Sequence, residues 1–145
     1  MPNASTQSRP QFPVGANVFV IQAGKLLLGK RKDANYHDGE WGLPGGHLEH
    51  REKIIDAAKR ELFEETGLIA DTCVFALVEN DIRVDDNHYI HFGFLAENVS
   101  GTLENKELGK CYGWEFFPLD QLPSPLFIGH KKLIEAFLRK DTFSE

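Results

Sequence analysis

Glu61, Glu64 and Glu65 stand in the run Arg60-Glu61-Leu62-Phe63-Glu64-Glu65. On a helix, spacings of i, i+3 and i+4 gather three carboxylates within an arc of roughly 100°. Like charges so placed cost stability unless a cation sits between them. A solvated acidic face is the plain alternative. Against it, Ile54 and Ala57 project into the same arc, so the stripe is not the uniformly polar side of a surface helix. Oxygen donors without a His or Cys pair at tight spacing suit a hard divalent ion, Mg2+ with Mn2+ as substitute, rather than zinc. The expected chemistry is neutralisation of phosphate charge and orientation of an attacking water. Arg60 adjoins the acids and can fork onto a carboxylate, fixing its orientation.

The elements that must position these acids follow from periodicity. Residues 52–66 lack Gly and Pro, carry Ile55, Ala58 and Leu62 at helical spacing, and stop at Gly67, which predicts a helix. Before it, 14–21 and Leu26-Leu27-Leu28 read as a β-hairpin across Gln22-Ala23-Gly24-Lys25, and the Gly- and Pro-rich segment 40–46 reads as a loop. After it, 72–84 and 88–96 read as antiparallel strands joined at Asp85-Asp86-Asn87, 97–112 as irregular, and 114–117 as a strand. A last amphipathic helix over 129–139 places Leu133, Ala136 and Phe137 on one face. Strands on both sides of a central helix predict an α/β fold with a mixed sheet covered on two faces.

A length of 145 residues, with 41% hydrophobic and 26% charged residues, predicts one globular domain, and 1–12 reads as a flexible tail before a domain over 13–145. The balance of 16 basic against 22 acidic residues, a formal charge of -6, offers no footprint for a nucleic-acid polymer or an anionic membrane. A small phosphorylated ligand held through a metal is untouched by that exclusion. Cys73 and Cys111 lie in no metal-ligand spacing, and neither a signal peptide nor a spanning segment is evident, so a cytoplasmic protein with reduced thiols is expected.

From Gly46 to Leu68 the register runs Gly46, five residues, Glu52, seven residues, Arg60-Glu61-Leu62, one residue, Glu64-Glu65, one residue, Gly67-Leu68. This resembles the box of the Nudix hydrolases, G-x5-E-x7-R-E-U-x-E-E-x-G-U with U a bulky aliphatic, and every defined position is filled. The resemblance extends to Leu43-Pro44-Gly45-Gly46-His47-Leu48-Glu49 before the box, to Leu28-Gly29-Lys30-Arg31, and to Trp114-Glu115-Phe116-Phe117-Pro118 with Leu122-Pro123. It thus covers the chain from about Val14 to the final helix. One departure stands at Arg51-Glu52, where the family often has Gly-Glu.

The resemblance implies an α/β/α sandwich around a mixed sheet and divalent-metal-dependent cleavage of a nucleoside diphosphate linked to another group. It implies metal binding by Glu61, Glu64 and Glu65 with the backbone carbonyl of Gly45. Glu61 or a neighbouring glutamate would act as base, and Glu52 would pair with Arg60 or orient the site. Arg31 matches a substrate-contacting arginine of MutT-type members, and Glu107 lies near an additional metal carboxylate. The MutT-type features imply a (deoxy)nucleoside triphosphate, including modified purine nucleotides, cleaved to monophosphate and pyrophosphate, with Trp114, Phe116 or Phe117 available to stack on the base. An ADP-ribose or nucleotide-sugar pyrophosphatase and a non-catalytic nucleotide-binding domain are the alternatives, and the family admits a homodimer. His88 and His91, on opposite faces of one strand, read as structural or surface residues.

Overall fold

Residues 15–19 are buried without a break, and a strand with no wet face needs partners on both edges. In the computed structural model, which describes residues 8–145, β1 (Val14–Phe19) pairs antiparallel with β5 (Gly45–His47) on one side and parallel with β7 (His88–Ser100) on the other. Antiparallel β6 (Ile69–Ile82) and a short parallel β9 (Phe143–Ser144) complete a mixed sheet of order β5-β1-β7-β6-β9. A second, antiparallel sheet is centred on β3 (Lys25–Arg31). β8 (Cys111–Pro118) covers one of its edges, and β2 (Ile21–Gln22) and β4 (Trp41–Gly42) share the other.

The expected hairpin is therefore corrected. Both edges of β1 are taken, so the chain changes sheet at Val20, and only Ile21-Gln22 pairs with Lys25-Leu26. Ala23 and Gly24 close that turn with φ of 52° and 74°, the two positive values of a tight turn matched to strand twist. Helices α1 (Ile54–Thr66) and α2 (Ile128–Leu138) cover opposite faces of the mixed sheet. Ala16, Val18 and Val20 pack with Ala57, Ala58 and Leu62 of α1, while Phe19 packs with Leu133, Ile134 and Ala136 of α2. This is the α/β/α arrangement expected.

Boundaries differ where tertiary pairing wins over local pattern. α1 begins at Ile54 rather than 52, and Ile55, expected inside, is exposed while Ala57, Ala58 and Leu62 face inward. Glu52 stays outside the helix because its side chain accepts the Glu49 N–H and forks onto Arg60. Gly67 ends α1 in the left-handed region, φ 75°, its N–H bonded to the Phe63 carbonyl at 2.9 Å. β7 runs past 96 to Ser100 because β6 pairs with it from Ile69 onward, and β8 starts at Cys111 to meet Arg31. The glycine-rich loop carries the short strands β4 and β5, and β9 was not expected. Of the proposed tail, residues 1–7 lie outside the described residues, and 8–13 are exposed without regular structure. No helix among the described residues is long and apolar enough to cross a membrane.

β6 turns Leu77, Glu79 and Asp81 inward in alternation. Glu79 is 1% exposed, and neither of its carboxyl oxygens has a hydrogen-bond partner among the described residues. Burial first, then the charge of Asp81, pushes its pKa from 4.5 up to about 7 against the opposing pull of Lys132 and Arg83. The folded state thus holds this proton more tightly than the unfolded chain. The contribution of Glu79 to stability is greatest below pH 4.5 and is lost, by up to about 3 kcal/mol, as pH rises toward 7. Glu79→Gln is expected to flatten that decline, as measured by denaturant midpoints from pH 5 to 8; parallel curves for the two proteins would contradict it.

Candidate active site

α1 presents Glu61, Glu64 and Glu65 to a cleft of about 680 Å³, across from the backbone of Gly45 and Gly46. Gly46 is dictated by this approach, since a side chain there would collide with the Glu61 carboxylate. Gly46→Ala is expected to push that carboxylate aside and lower turnover by about tenfold or more, because small misplacements at a reacting centre are costly; unchanged kcat and KM would show that Glu61 has room to move.

Arg60 ties the acids together from behind, and neither it nor Glu52 lines the cleft. Its Nε donates to Glu52 Oε2 at 2.8 Å and its Nη2 to Glu52 Oε1 at 2.9 Å, a bidentate fork. Its Nη1 donates to Glu61 at 2.8 Å and to Glu64 at 3.3 Å. The guanidinium holds the Glu52 carboxyl below its usual range, and the carboxylates raise the pKa of Arg60 in return. Arg51 has φ 63°, so the position where the family often has glycine adopts the backbone conformation that glycine favours.

Among the described residues, Glu65 has no such cation. Its Oε1 accepts the Gly45 N–H at 3.3 Å, a weak compensation. Burial first, then the facing Glu61 and the charge of Glu107, push its carboxyl well above the usual carboxylate range. Glu107 reaches the cleft from the loop before β8. Among the described residues no three His, Cys, Asp or Glu side chains form a ready-made cage, in keeping with Glu61 and Glu64 being engaged by Arg60. The donor set still fits a hard cation, because Glu61, Glu65 and Glu107 offer only oxygen and, among the described residues, Arg60 compensates Glu61 while Glu65 and Glu107 have no ion-pair partner.

Arg31 lines the same cleft, with its guanidinium 4.1 Å over the Phe127 ring and a long 3.7 Å contact to Asp33. Of the three late aromatics, Trp114 lines the cleft, while Phe116 packs on the α1 side and Phe117 on the α2 side of the core.

Other lining residues were not anticipated: Asn17, Tyr36, Arg83, Tyr89, His91 and His130. His88 and His91 do diverge; His88 bonds Asn80 at 2.6 Å, whereas His91 is buried in the wall of the cleft. His91 Nδ1 meets the Asn17 amide at 3.1 Å, and its Nε2 lies 3.3 Å from Asp81. A signal existed in the alternation of β6 and β7, where Glu79, Asp81 and His91 occupy positions that a simple core would fill with apolar residues.

An acidic helix facing a glycine strand at the mouth of an α/β/α sandwich defines a class, and comparison with known proteins identifies it. The NUDIX domain family model matches residues 11–137, and the chain belongs to that family. It is a Nudix pyrophosphohydrolase by descent, in a family that generally uses divalent metal ions. It is 46% identical over 113 residues to the oxidized purine nucleoside triphosphate hydrolase of Danio rerio, covering 73% of this chain and 66% of that protein. It is 33% identical over 127 residues to the ADP-ribose pyrophosphatase of Methanocaldococcus jannaschii, covering 87% of this chain and 73% of that one. Among solved structures, a MutT NUDIX hydrolase from Burkholderia pseudomallei superposes with a TM-score of 0.80 at 31% identity, over 87% of this chain and 98% of that chain. The chain spans about two thirds of the zebrafish relative.

Proposed function

We propose that this protein hydrolyses a (deoxy)nucleoside triphosphate, an oxidised or otherwise modified purine nucleotide being the favoured class, to the monophosphate and pyrophosphate. One observation carries the proposal: Glu65 and Glu107, which have no ion-pair partner among the described residues, share one cleft with Glu61, Arg31 and the aromatic rings of Phe127 and Trp114. Carboxylates that lack a counter-cation, beside surfaces suited to phosphate and base, match a metal-bound nucleotide. The zebrafish relative named for oxidised purine triphosphates supports the same substrate class.

Glu61, Glu64 and Glu65, with the Gly45 carbonyl, would hold Mg2+, or Mn2+ in its place. The bound ion would neutralise phosphate charge that otherwise repels the nucleophile. Glu61 or Glu64 takes the proton of the attacking water as its oxygen bonds to phosphorus and the α–β bridging bond breaks. Arg60, braced by Glu52, keeps Glu61 and Glu64 oriented toward the cleft. Arg31 contacts phosphate or ribose through a guanidinium that lies over the Phe127 ring.

The archaeal relative named for ADP-ribose sets the competing substrate. Purified protein with Mg2+ should be assayed on guanosine, adenosine and 8-oxo-guanosine deoxynucleoside triphosphates and on ADP-ribose. The proposal expects kcat/KM for at least one triphosphate to exceed that for ADP-ribose by more than tenfold. Turnover of ADP-ribose with inert triphosphates would reverse the assignment, and inactivity on all of them would favour the non-catalytic alternative.

A further inference from the structure

Phe127, immediately before α2, is flanked by two polar side chains that the hydrolytic step does not use fully. Arg31 lies over its ring, and His130 meets it edge to face with centroids 5.0 Å apart. The His130 ring is fixed from the other side, where the Leu43 N–H donates to Nδ1 at 3.0 Å. A backbone N–H only donates, so Nδ1 carries the lone pair and the single ring proton resides on Nε2. Burial first, then His91, Arg31 and Arg83, keeps the imidazole neutral. Gly42 makes the approach feasible, since a Cβ there would lie 2.9 Å from His130 Nδ1.

His130 lines the cleft, and among the described residues no acceptor receives its Nε2 proton. The neighbouring Glu40 and Tyr36 are engaged with other donors. Glu40 takes His37 at 2.8 Å and the Ile128 N–H at 3.2 Å. The Tyr36 hydroxyl accepts from Arg83 at 3.1 Å and gives its proton to Asp85 at 2.7 Å. Arg31 makes a long contact to Asp33. His130 Nε2–H thus stands in the cleft wall beside Phe127 as a donor with no acceptor among the described residues. Leu43, which anchors His130, is two residues from Gly45, which anchors Glu65, so the two anchoring amides are at most about 7 Å apart. One short stretch of backbone therefore holds both His130 and Glu65 at the cleft.

We propose that His130 is a specificity-determining residue whose Nε2–H reads a ring carbonyl on the bound base and rejects an exocyclic amino group in its place. The inference rests on the nucleotide-hydrolase function proposed above. A carbonyl oxygen satisfies the Nε2–H, whereas an amino group sets donor against donor and leaves both unpaired.

The test compares inosine with adenosine triphosphate, which differ by 6-oxo against 6-amino, using the full chain and Mg2+. The wild type is expected to favour the oxo member by about tenfold or more in kcat/KM, mainly through KM. His130→Phe should bring that ratio close to one. Because this variant also strips Leu43 of its acceptor, imidazole 15N spectra of the wild type supply an independent readout. They should show the proton on Nε2 and a downfield shift of its resonance with inosine monophosphate, absent with AMP. A wild-type ratio near one, a ratio unmoved in His130→Phe, or a proton on Nδ1 would overturn the role of His130 while leaving triphosphate hydrolysis intact. Failure to hydrolyse any nucleotide would instead remove the function on which it rests.

Discussion

Replacing Glu65 with glutamine is expected to lower turnover by about a thousandfold, the scale seen when an electrostatic contact to a charged transition state is lost. The same change should leave the metal-free protein folded and more stable at neutral pH. The two signs have one cause. Glu65 is pushed toward its protonated form by burial and by Glu61 and Glu107, so ionising it in the metal-free fold costs free energy that a neutral amide avoids. With a folded pKa above the unfolded one, that cost is absent below the unfolded value and grows as pH rises through the folded one. Mg2+ should raise the melting temperature of the wild type and have little effect on Glu65→Gln. Near-normal kcat in the variant at saturating Mg2+ would refute the metal role of Glu65.

Arg60→Ala is expected to have the second largest effect, damaging both stability and turnover. The guanidinium is 25% exposed and contacts Glu52, Glu61 and Glu64. Its removal leaves Glu52 and Glu61, each 16% exposed, as partly buried acids without a cation. Full burial would imply a larger loss, and screening at this exposure reduces it to about 2 kcal/mol. Turnover should fall by about 10- to 100-fold, the range for residues that orient metal-binding carboxylates. Lysine at this position keeps the charge and loses the fork onto Glu52, so Arg60→Lys should restore stability more than activity. A lysine variant with full activity would show that charge alone is needed. Denaturant melts and steady-state kinetics on the same preparations separate these outcomes.

The acids were legible in the sequence because their relation is local: i, i+3 and i+4 on a helix without Gly or Pro, ended by Gly67. The pairing of Glu52 with Arg60 came only from the resemblance to the Nudix box, because Glu52 lies outside α1 and helical spacing does not relate the two. The partners of β1 were not, because local alternation cannot tell a hairpin from a strand buried on both edges, and the switch at Val20 is decided by distant β7. The wall opposite the acids is likewise non-local. His130 is oriented by Leu43, 87 residues away, and Asn17 by His91, 74 residues away. No spacing rule covers such separations. Arg51 shows the reverse case, in which a departure from the box pattern leaves the backbone turn in place because the left-handed conformation is strained, not forbidden, for a non-glycine residue.

The acidic charge of -6 and the polyanionic substrate proposed here are reconciled if a divalent cation stands between them. The most direct test is a 31P spectrum recorded during incubation of the full chain with 8-oxo-deoxyguanosine triphosphate, first with EDTA and then after excess Mg2+ is added. No change is predicted under EDTA, followed after Mg2+ by the paired appearance of nucleoside monophosphate and pyrophosphate. Release of orthophosphate with the diphosphate, or equal turnover in EDTA, would contradict a metal-dependent diphosphatase at this cleft.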